Sequence, residues 1–76
     1  MNKIHEIILE AFDFQQIFNK KRNYLIMLKN SMIHKNDVII LRELNSSEYR
    51  FQLITDILKD HVGLKSGYMI ISIIPY

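Results

Sequence analysis

The chain has no cysteine, one proline and two glycines among its 76 residues. Without cysteine, neither a disulfide framework nor thiolate metal ligation is open to it, so stability has to come from packing and sheet hydrogen bonds. That fits a reducing compartment, and a cytoplasmic protein is the expectation. Both glycines, Gly63 and Gly67, fall in one short stretch. There is no Gly-rich phosphate loop, no Ser-His-Asp arrangement and no nucleophile elbow. Long hydrophobic runs are also missing: stretches such as 38–41 and 69–71 fall far short of the roughly 20 residues that span a bilayer. Residues 1–10 carry Lys3, Glu6 and Glu10, which interrupt the apolar core a signal peptide needs. No membrane partner is expected. The charge excess is small: ten Lys and Arg against eight Asp and Glu leave +2, with a pI near 9.0. A mildly basic balance is compatible with nucleic acid but does not specify it.

What is present is a chain that is 49% hydrophobic, normal for a globular protein and too apolar for a disordered one. The length allows one domain, 1–76, with a modest core and a thin stability margin. Residues 3–10 alternate, with His5, Ile7 and Leu9 as the core face, because the other face carries Glu6 and Glu10. A helix is expected next, with Asp13 as N-cap, Gln16 completing a capping box, and Phe12 and Ile17 as a hydrophobic staple. Phe14, Ile17 and Phe18 form its apolar stripe, and Lys20, Lys21 and Arg22 suit the negative end of its dipole. Residues 23–29 read as a second strand whose nearly continuous apolar run points to burial on both faces. Residues 38–44 are the clearest strand. Asn45, Ser46 and Ser47 mark a hairpin, and 48–58 return with Tyr49, Phe51, Leu53, Thr55 and Ile57 on one face. Residues 68–74, closed by Pro75, are the last strand. Five strands avoid two free edges if the sheet closes into a barrel.

Four stretches carry a resemblance: Lys3-Ile4-His5-Glu6; Lys20-Lys21; Asn36-Asp37-Val38-Ile39-Ile40-Leu41-Arg42-Glu43; and Gly63-Leu64-Lys65-Ser66-Gly67-Tyr68 running into Met69–Ile73 of the last strand. Together they resemble a small bacterial and phage domain of unknown function in the ASCH (activating-signal-cointegrator homology) group of the PUA-like superfamily. The resemblance spans nearly the whole chain, in order. It implies an α+β fold: a small five-stranded antiparallel PUA-like β-barrel with one helix after the first strand and a cleft beside that helix. It also implies RNA binding, and in one branch hydrolysis of an acyl group from a modified nucleoside. Relatives read Gly-Lys-Lys and then Glu-x-Arg on the next strand. Here Asn19 or Lys20 replaces the glycine, Asn36 replaces a second glycine, and Leu25 and Met27, or with a gap the residues one position later, stand where the charged pair belongs; either way both charges have become apolar. No hydroxyl follows Lys21 closely, and no carboxylate lies near the C-terminus. General acid–base chemistry needs a titratable group at its target, so an enzyme is not expected, and no cofactor is.

The candidate nucleic-acid residues are Lys20, Lys21 and Arg22 for phosphates, Tyr24 for stacking on a base, and His5, which the resemblance places at the cleft. Arg50 would extend a positive stripe. His5, His34 and His61 match no zinc spacing, so no metal is expected. Glu43 and Glu48 flank the hairpin and are read as cross-strand surface charges. Residues 24–28 are either core or an apolar contact surface. In the second case Met27, Leu28, Met32 and Ile33 would bind a protein partner. Two functions follow. One is a non-catalytic RNA-binding module with a degenerate cleft. The other is a regulator, encoded by a phage or mobile element, that binds and inhibits a host protein. Heavy use of Ile, Asn and Lys points to an A/T-rich genome.

Overall fold

The computed structural model describes residues 3–60 and 62–76. Its elements are β1 (Ile4–Leu9), α1 (Ala11–Phe18), β2 (Tyr24–Leu28), β3 (Val38–Glu43), β4 (Tyr49–Lys59) and β5 (Tyr68–Pro75). The strands form one sheet in the order β1-β3-β4-β5-β2, curled into a half-barrel with the helix on its inner side.

The order of strand, helix and four strands is as expected, but the closed antiparallel barrel is not. β1 pairs parallel to β3, with Ile4 opposite Val38 and Leu9 opposite Glu43. The other three pairings are antiparallel. β1 and β2 lie at opposite edges and do not meet, so the sheet is mixed and open. The reason is the crossover: α1 and β2 separate β1 from β3, and a connection of that length permits parallel pairing. Side-chain period reports which face is buried, not which way a neighbour runs.

The core lies between the inner face and α1. Phe14 and Ile17 from the helix meet Leu25, Ile39, Leu41, Ile54, Met69, Ile71 and Ile73 from the strands, with Ile33 from the loop between β2 and β3. Burying each such side chain stabilises by roughly 1.5–3 kcal/mol before entropy is counted. β1 buries its odd-numbered face, as its alternation requires.

Strand β4 corrects the expected facing. Arg50, Gln52 and Ile54 point inward, while Tyr49 and Phe51 are exposed. A register shift between Ile54 and Asp56 leaves Thr55 as an extra residue. Past this bulge the odd residue Ile57 packs on the core. A bulge re-aims every later side chain by one position, so no single alternation describes the strand. Strand β2 is likewise not buried on both faces. It is an edge strand: Leu25 is buried and Met27 half-buried, while Tyr24, Ile26 and Leu28 are exposed.

The helix starts earlier than its capping pattern implies. Glu10 is the N-cap and makes no side-chain capping bond, and Asp13 sits inside the first turn. Phe12 is exposed. Leu9 and Phe14 now occupy the staple positions, and both pack in the core. The C-terminus is closed by a Schellman motif: the N–H of Lys20 donates to Ile17 O (3.0 Å) and that of Lys21 to Gln16 O (2.9 Å). Lys20 is the left-handed residue, at φ 61°, a position that favours glycine because a Cβ crowds the next carbonyl. Lys20→Gly should therefore stabilise the fold by about 0.5–1 kcal/mol, raising Tm by a few degrees in thermal unfolding; an unchanged or lower Tm would show that the Lys20 side chain contributes to the fold.

Candidate functional site

Strand β4, strand β5 and the end of α1 enclose an open cleft of about 580 Å³. Its floor is apolar, from the buried Ile17 and Ile73. Phe18, Lys20, Arg22, Arg50, Gln52 and Tyr76 also line it, so three cationic side chains face it and, among the described residues, no Asp or Glu side chain does. The left-handed turn at Lys20 ends the helix and carries the chain around the cleft mouth. The Arg50 guanidinium lies over the Phe18 ring at 4.1 Å from its centroid. Its Nη1 also donates to Tyr49 O (2.6 Å) and lies 3.4 Å from Glu48 Oε2. The result is a flat cationic wall held by its own neighbours.

Arg22 has two duties. Its Nη2 donates to Asp13 Oδ1 at 3.1 Å, tying the start of β2 to the first turn of the helix. Its guanidinium sits 5.7 Å from the Tyr24 ring centroid. Its Nε is buried with no hydrogen-bond partner among the described residues. Tyr24 does not line the main cleft. It lines a smaller cavity of about 160 Å³ on the other side of Arg22, with Leu9, Asp13 and Leu25. Lys21 is exposed and points its charge at neither cavity.

His5 lies elsewhere. Its Nε2 is 2.8 Å from Asp37 Oδ2, and the same carboxylate accepts the backbone N–H groups of Lys3 (3.1 Å) and His34 (3.0 Å). His34 itself is exposed, with Nδ1 4.0 Å from Asp37 Oδ2. Burial acts to raise the Asp37 pKa, but the His5 hydrogen bond and the two backbone donors outweigh it and bring the carboxyl from 3.8 down to about 2. Among the described residues no three His, Asp or Glu side chains are grouped to hold a metal ion. His61 lies outside the described residues.

Of the five residues expected to contact nucleic acid, the fold thus brings Lys20 and Arg22 to the cleft. It leaves Lys21 beside it, puts Tyr24 behind Arg22 and uses His5 to hold Asp37. The expected protein-binding group also divides. Leu28 and Met32 are exposed and Met27 is half-buried, but Ile33 is 3% exposed and belongs to the core. Leu25 and Met27, the positions the resemblance matches to a charged pair, pack in or against the core rather than into the cleft. Sequence reasoning missed Phe18, Gln52 and Tyr76. Gln52 had a usable signal, a polar residue within an apolar strand, but only once it is placed on the inner face. Glu43, expected as a surface charge, accepts a hydrogen bond from Gln15 of the helix at 3.1 Å.

No family model matches the chain, and no curated protein is significantly similar to it. Among the described residues no helix is long and apolar enough to cross a membrane.

The Asp37 geometry sets a pH dependence. Its folded-state value lies below its ordinary one, so stability is full above about pH 4 and lost as pH falls toward 2. Asp37→Asn should lower stability at pH 7 by about 1–3 kcal/mol, since it weakens a buried hydrogen-bonded group. It should also flatten the loss between pH 4 and 2. Urea unfolding of both proteins at pH 7, 4 and 2.5 measures this, and parallel pH profiles would show that the acid loss arises from other carboxylates.

Proposed function

We propose that this chain is a non-catalytic module that binds single-stranded nucleic acid, RNA in particular, in the cleft between α1 and the β4–β5 strands. The observation that carries this reading is the cleft lining: Lys20, Arg22 and Arg50 with the aromatic side chains of Phe18 and Tyr76, and no Asp or Glu side chain among the described residues. Cations bind phosphates independently of sequence, and aromatic faces accept bases of any kind. The resemblance to ASCH and PUA-like domains, which implies a cleft at this place and RNA as its ligand, supports the same reading. The non-catalytic part of the reading draws on the lining among the described residues, where Lys20 and Tyr76 are the titratable side chains besides the arginines and no His, Asp or Glu stands beside them. A cytoplasmic setting agrees with a chain that lacks cysteine.

A second reading, a regulator that binds a host protein, draws on a different surface. On the outer side of the sheet Ile26, Ile70 and Leu58 form one cross-strand row, and Leu28 lies opposite Tyr68. Ile26, Leu28 and Leu58 are all exposed. Edge strand β2 carries no charge or proline within it, the usual guards against pairing with another chain.

Binding of a random single-stranded RNA, titrated at several salt concentrations, separates the two. The nucleic-acid reading expects salt-dependent binding, with Lys20→Gln/Lys21→Gln lowering the slope of log K against log salt by up to about 1.4, at roughly 0.7 per phosphate contact. Arg22 is left intact, because its bond to Asp13 supports the fold. Absence of binding below about 100 μM at low salt, the weak end of ordinary non-specific contact, would contradict the nucleic-acid reading and leave the outer face as the functional surface.

A further inference from the structure

Strand β2 is one border of the sheet, and its free side is unguarded. Lys29 N–H donates to Gly67 O (2.9 Å) and Ile73 N–H to Asn23 O (3.0 Å). Bonded and non-bonded pairs alternate along an antiparallel ladder, so Asn23, Leu25, Met27 and Lys29 turn their backbone groups toward β5. The N–H and C=O groups of Tyr24, Ile26 and Leu28 face away from the sheet, and none of them makes a turn, loop or inter-element bond among the described residues. The side chains of the same three residues are exposed, Ile26 by 53% and Leu28 by 63%. Such a row is a template for another strand. The β1 border is different. Its Lys3 and Leu9 carbonyls accept the Val38 and Leu44 N–H groups, which leaves Ile4, Glu6 and Ile8 on the open side, with the exposed Glu6 at the centre. A charge in that place discourages pairing.

We propose that β2 pairs antiparallel with β2 of a second copy of this chain, about a two-fold axis at Ile26. In that register Ile26 lies opposite Ile26 of the second copy, and Tyr24 lies opposite its Leu28. All three residues belong to the outward-bonding set, so each N–H and C=O of the row finds a partner. Charge does not oppose the pairing: Lys29 falls opposite Asn23 of the second copy, and Arg22 opposite its Asn30. The same operation on β1 would set Glu6 against Glu6, and like charges directly opposite are destabilising. Joining β1 of one copy to β2 of another would leave a free edge at each end and run on into a fibre, whereas β2 on β2 closes as a dimer. Side chains gain as well. Ile26, Ile70 and Leu58 already form one row on the outer face. Pairing continues that row into the same row of the second copy and shields apolar surface that one copy alone exposes. Contact along a single short strand makes a small interface, so the dimer is weak and reversible. The pairing does not depend on what the cleft holds.

Sedimentation equilibrium of the whole chain, at about 5 to 500 μM to span weak association, should show the mass rise from 9.1 kDa toward twice that value and no further. Ile26→Lys, which sets like charges at the axis, should stay monomeric throughout, while Ile8→Lys on the β1 border should dimerise like wild type. Amide hydrogen exchange of wild type should slow at Tyr24, Ile26 and Leu28 as concentration rises, with Leu25 and Met27 slow at every concentration. The chain has no cysteine, so single replacements report the register. Oxidised Ile26→Cys should form a disulfide dimer, because hydrogen-bonded opposite residues hold their Cα atoms about 5.5 Å apart; Leu28→Cys, which faces Tyr24, should not. A chain that stays monomeric with those three amides unprotected leaves the edge to a strand of another protein and overturns the proposal. Mass growing past the dimer, loss of the dimer in Ile8→Lys but not in Ile26→Lys, or equal cross-linking of the two cysteine variants overturns it as well. The exchange and cross-linking results decide the matter even where Ile26→Lys fails to fold.

Discussion

The buried carboxylate of Asp37 is the constraint from which the rest of this fold follows. It stands at the entrance to β3, after Asn36 has turned the chain through a left-handed φ of 75°. Its side chain gathers the backbone of Lys3, the ring of His5 and the backbone of His34. Its main-chain oxygen accepts the Ile54 N–H at 2.9 Å, while Asn36 N–H donates to Ile54 O at 2.8 Å. One residue thereby fixes the first strand, the long loop and the middle of β4. Desolvating a carboxylate is costly, and charge-assisted bonds from several donors offset it. With β1 held beside β3, the helix that follows has a surface to cover, and Phe14 and Ile17 close the core.

The cleft is a consequence of how little that helix covers. Eight residues make just over two turns, enough to roof the β1 and β3 end of the inner face but not the β4–β5 end. There the inner face is left open and lined by Arg50, Gln52 and Ile73. The Schellman turn brings Lys20 to this opening. Arg22, anchored on Asp13, ties the roof to the start of the far edge strand. The fold and the cleft thus share parts, and Arg22 cannot be altered for one without disturbing the other. The outer face has no such roof. Its exposed isoleucines and the bare β2 edge are features that a lone small domain ordinarily guards against.

Much of this was legible in the residues. The alternation of β1, the hairpin at Asn45 to Ser47, the breaking of the chain at Asn36 and, in the helix stripe, Phe14 and Ile17 each rest on local chemistry that the structure preserves, whereas Phe18, the third member of that stripe, is exposed at the cleft. The direction of β1 was not legible, because pairing depends on a crossover and not on period. The facing of β4 was hidden by the bulge at Thr55: Tyr49, Phe51 and Leu53 look like a core face, yet the inward side holds Arg50 and Gln52. That inversion concealed the best part of the cleft. The basic tripeptide was visible, but its members diverge because Lys20 occupies a left-handed turn, which separates three consecutive side chains. His5 reads as a functional histidine in the sequence, and only the structure shows it spent on Asp37.

The central claim is that the cleft, and not the outer face, is where this protein meets its ligand. Amide chemical-shift mapping during titration with a short single-stranded RNA tests it most directly, because it reports every backbone position at once. The account predicts shifts clustered at Phe18, Lys20, Arg50, Gln52, Ile73 and Tyr76, with Ile26, Leu28, Leu58 and Ile70 unmoved. Shifts concentrated on that outer row, or a spectrum unchanged by RNA, would contradict it.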